Sequence, residues 1–174
     1  FFMDLMRDHD RAVRWKTAVT NDRPGPRREL MASPYTLPGF NDSGAHNRNM
    51  AFQDGALQML QQMQAHPETM TMERAVHRLT GEAASWLGVD AGVIAKGKRA
   101  DLVLLDPKAL PSGLSEPIEF VDERLGGEMR MVKRSDSVVT TVLIGGKVAF
   151  ENGAFAKDYG SVRYGRLLRR GAAS

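Results

Sequence analysis

The sequence contains no cysteine, which excludes disulfides and thiolate metal sites. No apolar run approaches the length needed to cross a bilayer, and no basic segment leads into an apolar stretch at the N-terminus. We therefore expect a cytoplasmic protein without a signal peptide or a membrane partner. The chain opens with Phe1-Phe2-Met3 rather than an initiator methionine, so we expect it to begin within a longer protein.

A broad basic surface is also missing. The net charge is +3, and four of the 24 Lys and Arg residues lie in residues 161–174, which contain no acid. The other 20 basic residues nearly balance the 21 acidic ones. Because nucleic-acid surfaces usually combine a basic stripe with stacking aromatics, we expect no nucleic-acid partner and a solvated C-terminal tail.

Complete catalytic motifs are missing as well. The four histidines, His9, His46, His66 and His77, form neither a His-x-His nor a His-x-x-x-His pair. A metal centre normally takes three or four protein ligands, and spacing alone assembles no such set here. Neither a phosphate-binding Gly-x-x-x-x-Gly-Lys loop nor a Gly-x-Ser-x-Gly nucleophile turn occurs. The sequence thus predicts a chain that lacks a complete active site of its own.

The first half of the chain has helical patterns between two short strand-like segments. Residues 14–20 and 35–40 are rich in β-forming or apolar residues and predict strands, although Pro38 and Gly39 weaken the second. A short helix is predicted over 27–32. A longer one is predicted from Phe52 to Pro67, with one apolar face formed by Phe52, Ala56, Met59 and Met63.

A further helix is predicted to begin after Thr71, whose hydroxyl can cap it. Thr80-Gly81 is expected to interrupt this helix, and Gly88 to end its last short turn. The predicted buried face consists of Met72, Ala75, Val76 and Leu79.

After Gly88 the pattern changes from helices to strands and glycine turns. Residues 101–106 and 138–144 predict strands, whereas residues 107–135 have mostly loop composition. Gly145-Gly146 predicts a two-residue hairpin turn, and Asn152-Gly153 predicts a second turn. We therefore place a boundary near residue 89.

Asp42 is the leading candidate for chemistry because it follows a predicted strand and precedes a loop and a helix. Catalytic side chains project from this position in β/α barrels. A carboxylate there can bind a metal and accept the proton of an attacking water, but it can equally begin a backbone turn. His46 is a candidate for orienting substrate, and Arg48 or Arg23 for binding a substrate carboxylate, with ordinary loop roles as the alternatives.

In chain order, five segments resemble the C-terminal end of an amidohydrolase-superfamily enzyme, most closely the N-acyl-D-amino-acid deacylases. The segments are Gly39 to His46, Glu73 to Thr80, Leu87 to Ile94, Lys96 to Pro107 and Val142 to Gly153. The resemblance spans about residues 14–170. The family usually has Ser-Asp where this chain has Asn41-Asp42, so the chain departs from the pattern at the first position and keeps the aspartate.

The resemblance implies the fold class α/β plus β. Residues 1–88 would be the C-terminal part of a metal-dependent (β/α)8 barrel, and residues 89–174 the C-terminal strands of a small β-sandwich with a basic tail. Asp42 matches the aspartate that ends the eighth barrel strand, contacts the metal and transfers the proton of the water. One or two metal ions, usually zinc, are implied, with their other ligands upstream of Phe1.

The implied reaction is hydrolysis of an N-acyl-D-amino acid to a carboxylate and the free D-amino acid. The implied partners are this small-molecule substrate, the upstream part of the same protein and a second copy in a homo-oligomer, and we expect the chain alone to be inactive. Two alternatives stay open: a cyclic-amide amidohydrolase resembling dihydropyrimidinases or hydantoinases, and a non-catalytic fragment that serves folding or oligomerisation.

Overall fold

The computed structural model describes residues 1–13, 22–39, 51, 53–121, 123 and 126–171. Its helices come first: α1 (Phe2–His9), a short 3₁₀ helix (Asp10–Ala12), α2 (Pro24–Ala32), α3 (Gly55–Ala65), α4 (Met72–His77), a π-helical turn (Arg78–Glu82) and α5 (Ala83–Leu87). Its strands follow: β1 (Leu102–Leu105), β2 (Ile118–Val121), β3 (Met129–Val132), β4 (Val139–Ile144), β5 (Lys147–Glu151) and β6 (Ala154–Phe155).

Helices α2 and α3 confirm two predicted helices. Helix α2 begins at Pro24, where a proline loses no hydrogen bond because the first turn has no internal acceptor for its N–H. Helix α3 ends at Ala65, with His66 as its C-cap before Pro67, and buries Met59, Leu60 and Met63. Ala56, which was predicted to share this face, is exposed.

The predicted strand over 35–40 is wrong for residues 35–39, which lie outside any strand, while Phe40 is not among the described residues. The carbonyl oxygen of Thr36 accepts a hydrogen bond from the guanidinium of Arg78 rather than from a neighbouring strand. Pro38 has no N–H to donate to one. The expected strand over 14–20 falls outside the described residues.

The helix after Thr71 begins as predicted, because the Thr71 hydroxyl accepts a hydrogen bond of 3.3 Å from the N–H of Arg74. Thr80-Gly81 does not break it. These residues lie in the π-helical turn that joins α4 to α5. Gly88 ends α5 with a φ of 69°, as predicted.

The larger sheet has the strand order β1-β4-β5-β6, and its neighbours are antiparallel. Gly145 and Gly146 join β4 to β5 with φ values of 58° and 81°, which confirms the predicted hairpin turn. Asn152 and Gly153 join β5 to β6, also with positive φ. The C-terminal tail then returns to α5, where the N–H of Gly171 donates to the carbonyl of Gly88.

A second, two-stranded sheet lies in the region that was expected to be mostly loop. Strands β2 and β3 pair antiparallel, with Ile118 opposite Val132 and Val121 opposite Met129. All four residues of β2 are exposed, so its sequence does not show the apolar and polar alternation that predicts a strand with one buried face.

The core joins the helices to loops from the second half of the chain. Its buried members are Met59, Leu60, Met63, Met70, Ala75, Leu110 and Val138. The side chains of Gln61 and Gln64 donate to the carbonyls of Leu110 and Pro107, at 2.9 and 2.8 Å. Residues on both sides of the boundary near 89 thus share one core, and the division into two domains stays a prediction.

The (β/α)8 barrel also stays a prediction. A barrel of this kind needs parallel strands, and the named strands in the described part of the chain all pair antiparallel. The described residues form a mixed helix and sheet fold with antiparallel sheets. Among the described helices, none combines the length and the apolar character that a membrane span requires.

Candidate functional site

Three of the four predicted site residues, Asp42, His46 and Arg48, fall in residues 40–50, outside the described residues. The fourth, Arg23, is exposed at the N-terminal end of α2, where its carbonyl accepts a hydrogen bond of 3.1 Å from the N–H of Arg27. The assignment of these residues to one site therefore stays a prediction. The structure describes the chain on both sides of residues 40–50, which are called the candidate segment below.

Upstream of the candidate segment, a buried arginine forms hydrogen bonds with the turn that follows α2. The side chain of Arg78 has no exposed surface, and its guanidinium donates to the backbone carbonyls of Met31 and Thr36. The Thr36 hydroxyl donates in turn to the carbonyls of Leu30 and Ser33. The turn over residues 31–36 is therefore attached to the π-helical turn through one side chain.

The charge of Arg78 is compensated within the same cluster. Its Nε lies 3.2 Å from Oε1 of Glu82, and the other carboxylate oxygen of Glu82 lies 2.6 Å from Nη2 of Arg74. Burial of a charge is costly unless it is paired and hydrogen-bonded, and Arg78 meets both conditions. His77 lies at the edge of the cluster, with its Nδ1 2.9 Å from Nη1 of Arg74, and is 57% exposed.

Downstream of the candidate segment, a second buried charge forms an ion pair. Ala51 is buried, and Asp54 is only 5% exposed. The Nζ of Lys133 lies 2.7 Å from Oδ2 of Asp54, and Nε2 of Gln58 donates to Oδ1 at 2.9 Å. The start of α3 is thereby tied to the loop between β3 and β4.

Beside this ion pair lies an open pocket of about 310 Å³ between the start of α3 and the larger sheet. Its floor is apolar, and its charged edge includes Arg134, which lies 5.9 Å from the centre of the Phe155 ring. The apolar floor is formed by Val139, Val142, Ile144, Ala149, Phe150 and Phe155. This arrangement can accept an apolar group next to a cation.

The described residues do not form a metal centre by themselves. Across residues 1–13, 22–39, 51, 53–121, 123 and 126–171, no three His, Asp or Glu side chains converge on a common point. The three histidines of this set are separated: His9 ends α1, His66 pairs with Glu68 at 3.1 Å, and His77 contacts Arg74.

Arg78 was not predicted to be buried, although the sequence carries a signal for it. Positions 72, 75 and 78 repeat every three residues, so Arg78 follows Met72 and Ala75 on the same helix face. An arginine on an otherwise apolar face indicates a buried, paired guanidinium. Asp54 and Lys133 gave no such signal, because their pairing joins the two halves of the chain.

Comparison with known proteins places the chain in a family context. The model of the amidohydrolase family matches residues 40–149. Uncharacterized proteins of Mycobacterium bovis and Mycobacterium tuberculosis are 41% identical to the chain over 180 aligned residues, which cover 98% of this chain and 30% of each relative. The chain thus spans about 30% of the length of the curated relatives it matches. No solved structure matches it.

Proposed function

Because this chain belongs to the amidohydrolase family, we propose that it is the C-terminal part of a metal-dependent hydrolase that cleaves the amide bond of N-acyl-D-amino acids. The products are a carboxylate and a free D-amino acid. One observation carries the proposal: the family match begins at residue 40, two positions before Asp42, and includes His46 and Arg48.

In the proposed reaction, Asp42 acts as the general base. Its carboxylate accepts a proton from the water whose oxygen attacks the amide carbon. The proton then passes to the amide nitrogen as the C–N bond breaks, so that the amine leaves and the carboxylate product remains. His46, Arg48 or Arg23 would bind the carboxylate of the substrate. The guanidinium of either arginine can form a bidentate pair with it.

We also propose one or two zinc ions, with ligands other than Asp42 from outside this chain. A bound metal ion lowers the pKa of its water and polarises the carbonyl. Support comes from the family, which is often metal-dependent, and from the length of the relatives, of which this chain covers only 30%.

The remaining part of the longer protein is the proposed partner of this chain, which would be inactive alone. Large exposed apolar side chains support this, since extended apolar surface usually marks an interaction site. The most exposed of those in α5 and residues 93–121 are Trp86 (72%), Val93 (59%), Ile94 (86%), Val103 (57%), Ile118 (57%) and Val121 (55%). A homo-oligomer would cover such surface as well.

The test is an assay of the protein at its full natural length with N-acyl-D-amino acids, their L-enantiomers, dihydrouracil and hydantoin. Amine release from the D-enantiomers alone is the expected result. Asp42→Asn should lower kcat by a factor of about 10² to 10⁴, the usual contribution of a general base. Asp8→Asn, in an exposed pair with Arg7, is the matched control and should leave kcat unchanged.

Each other outcome has a defined meaning. Turnover of the cyclic amides alone would favour the dihydropyrimidinase-like alternative, and normal turnover by Asp42→Asn would reject the role of Asp42. A full-length protein that hydrolyses none of these amides would favour a non-catalytic role. If the 174-residue chain by itself binds zinc stoichiometrically and hydrolyses amides, the incomplete-site proposal is wrong.

A further inference from the structure

The pocket of about 310 Å³ beside the start of α3 has the size and the lining of a small-ligand site, and it is called the α3–sheet pocket below. Its floor is formed by apolar side chains of β4, β5 and β6, of which Ala149 and Phe150 are buried. Such a floor can bind the apolar part of a ligand, because removal of apolar surface from water is favourable. The charged groups at the edge of the pocket decide the chemistry of the rest of the ligand.

A flat aromatic surface continues the floor of the pocket to solvent. The rings of Phe155 and Tyr159 lie nearly parallel, with 5.2 Å between their centres and 16° between their planes. Both side chains are half exposed. The buried Phe150 ring supports Phe155 from below, with 5.4 Å between the ring centres. A ligand can therefore enter along this surface without displacing a buried side chain.

Four charged side chains line the pocket: Asp54, Lys133, Arg134 and Asp136. Asp54 and Lys133 neutralise each other, with 2.7 Å between Oδ2 and Nζ, and they are 4% and 12% exposed. Arg134 and Asp136 are exposed, and neither forms an ion pair within the part of the chain that the structure describes. The pocket thus offers one positive and one negative group to a ligand at its edge.

The backbone places Arg134 and Asp136 on either side of a buried serine. Ser135 is 9% exposed, and its carbonyl accepts hydrogen bonds of 2.9 Å from the N–H groups of Val138 and Val139. These bonds hold the turn that leads into β4. Since only one residue separates Arg134 from Asp136, their Cα atoms are at most about 7 Å apart. One small ligand can therefore reach both side chains.

We propose that the α3–sheet pocket binds a free α-amino acid with an apolar side chain, such as leucine. Arg134 binds the carboxylate, Asp136 binds the ammonium group, and the floor binds the side chain. A simple carboxylate would bring a like charge to Asp136, and a simple amine would bring one to Arg134. An α-amino acid avoids both, because it carries the two charges on one carbon. The proposal does not depend on the proposed hydrolysis, although the free amino acid of that reaction belongs to this ligand class.

Calorimetric titration of the full-length protein with D-leucine and L-leucine tests the proposal. At least one enantiomer should bind, with a Kd of about 0.1–1 mM for a ligand of this size. Isocaproate lacks the ammonium group, isoamylamine lacks the carboxylate and glycine lacks the side chain, so each should bind at least about fivefold more weakly. Failure of both leucine enantiomers to bind overturns the proposal, as does equally tight binding of these analogues.

Substitutions at the edge of the pocket locate the binding. Arg134→Gln and Asp136→Asn should each weaken leucine binding at least about fivefold. Both side chains are exposed, so we expect both variants to keep the wild-type melting temperature. Arg169→Gln, at an exposed arginine that does not line the pocket, is the matched control and should bind leucine as the wild type does. Wild-type affinity in Arg134→Gln and Asp136→Asn would place the leucine elsewhere and overturn the proposal.

Hydrogen exchange provides a readout that needs no variant. Saturation with leucine should slow exchange of the wild-type protein at least about twofold in peptides that cover residues 133–139 and 149–159, and leave residues 72–77 of α4 unchanged. Slower exchange only outside the first two stretches would contradict binding in the pocket. Normal turnover by Asp42→Asn would reject the role of Asp42 without changing these results, so the two proposals fail independently.

Discussion

The carboxylate of Asp101 accepts a hydrogen bond of 2.7 Å from the backbone N–H of Gly145, which joins the residue before β1 to the turn between β4 and β5. Arg99 donates to the other oxygen of this carboxylate from both Nε and Nη2, at 2.9 and 2.6 Å. The N–H of Gly146 donates to the carbonyl of Ala100. The hairpin turn is therefore attached to the start of β1 by two hydrogen bonds.

This geometry predicts an acid-dependent loss of stability. Partial burial raises the pKa of Asp101, but the hydrogen bond from Gly145 and the charge of Arg99 outweigh it and lower the pKa below its usual value of 3.8. A carboxylate with a lowered folded-state pKa stabilises the protein above its unfolded pKa, about 3.9, and this stabilisation is lost as the pH falls through the folded pKa.

Asp101→Asn keeps an acceptor for the N–H of Gly145 but removes the charge that pairs with Arg99, and should reduce the free energy of unfolding by up to about 1 kcal/mol at pH 7. The difference from wild type should shrink as the pH falls below about 3.9, where the carboxyl of the unfolded wild-type chain takes up a proton, and should be lost as the pH falls through the lower pKa of the folded state. Urea unfolding at pH 7 and pH 3 measures both values. A difference that is the same at both pH values would contradict the lowered pKa.

Turns and helix ends were predictable because each depends on a few neighbouring residues. Thr71 caps α4 through a hydrogen bond three residues away, and Gly88 and Gly145-Gly146 take positive φ values that favour glycine. The pairing of β2 with β3 was not predicted, since none of the β2 residues is buried and the strand lacks the alternation that indicates a buried face.

The contacts made by the residues on either side of the candidate segment were harder to predict than its candidate site residues. Asp42 could be singled out from its position after an apolar segment, but the attachment of Arg78 to Thr36 spans 42 positions and depends on backbone carbonyls. Every residue has a backbone carbonyl, so the residue types do not indicate which carbonyl accepts a hydrogen bond. The ion pair of Asp54 and Lys133 joins the two halves of the chain and has no periodicity that sequence reasoning could use.

The burial of Met63 in α3 and the exposure of Val76 in α4 predict losses of stability of different size when each side chain is truncated. Met63 is fully buried in the shared core, whereas Val76, which the sequence placed on the buried face of α4, is 42% exposed. Met63→Ala should lower the free energy of unfolding by about 2–5 kcal/mol, and Val76→Ala by less than about 1 kcal/mol. Chemical denaturation of the two variants measures the contrast, and a larger loss at Val76 would show that the side chain is covered.

The cap of α4 predicts a smaller and more specific effect. Thr71→Ala removes the hydroxyl that accepts the N–H of Arg74, and should reduce the free energy of unfolding by about 1 kcal/mol. Thr71→Ser retains an acceptor at the same position and should be close to wild type. Thermal unfolding of both variants is the measurement, and equal melting temperatures for alanine and serine would argue against the cap.

Two glycines in the segment after α5 share a positive φ but differ in how closely other atoms pack against them. Gly92 and Gly97 both have positive φ, at 77° and 82°. A Cβ on Gly92 would lie 2.6 Å from the carbonyl carbon and oxygen of Thr80, whereas a Cβ on Gly97 would meet none of the described atoms within 4 Å. The two positions therefore share the conformational penalty, and Gly92 alone adds a clash with the backbone of the π-helical turn.

Gly97→Ala should reduce the free energy of unfolding by about 1–2 kcal/mol, the penalty of the left-handed conformation for a residue with a Cβ. Gly92→Ala should exceed that loss by about 1–3 kcal/mol, because the backbone of Thr80 must move to make room. Urea denaturation midpoints, compared at a common slope, give both values. If the two variants lose the same stability, the segment after α5 does not pack against Thr80 as closely as the structure shows.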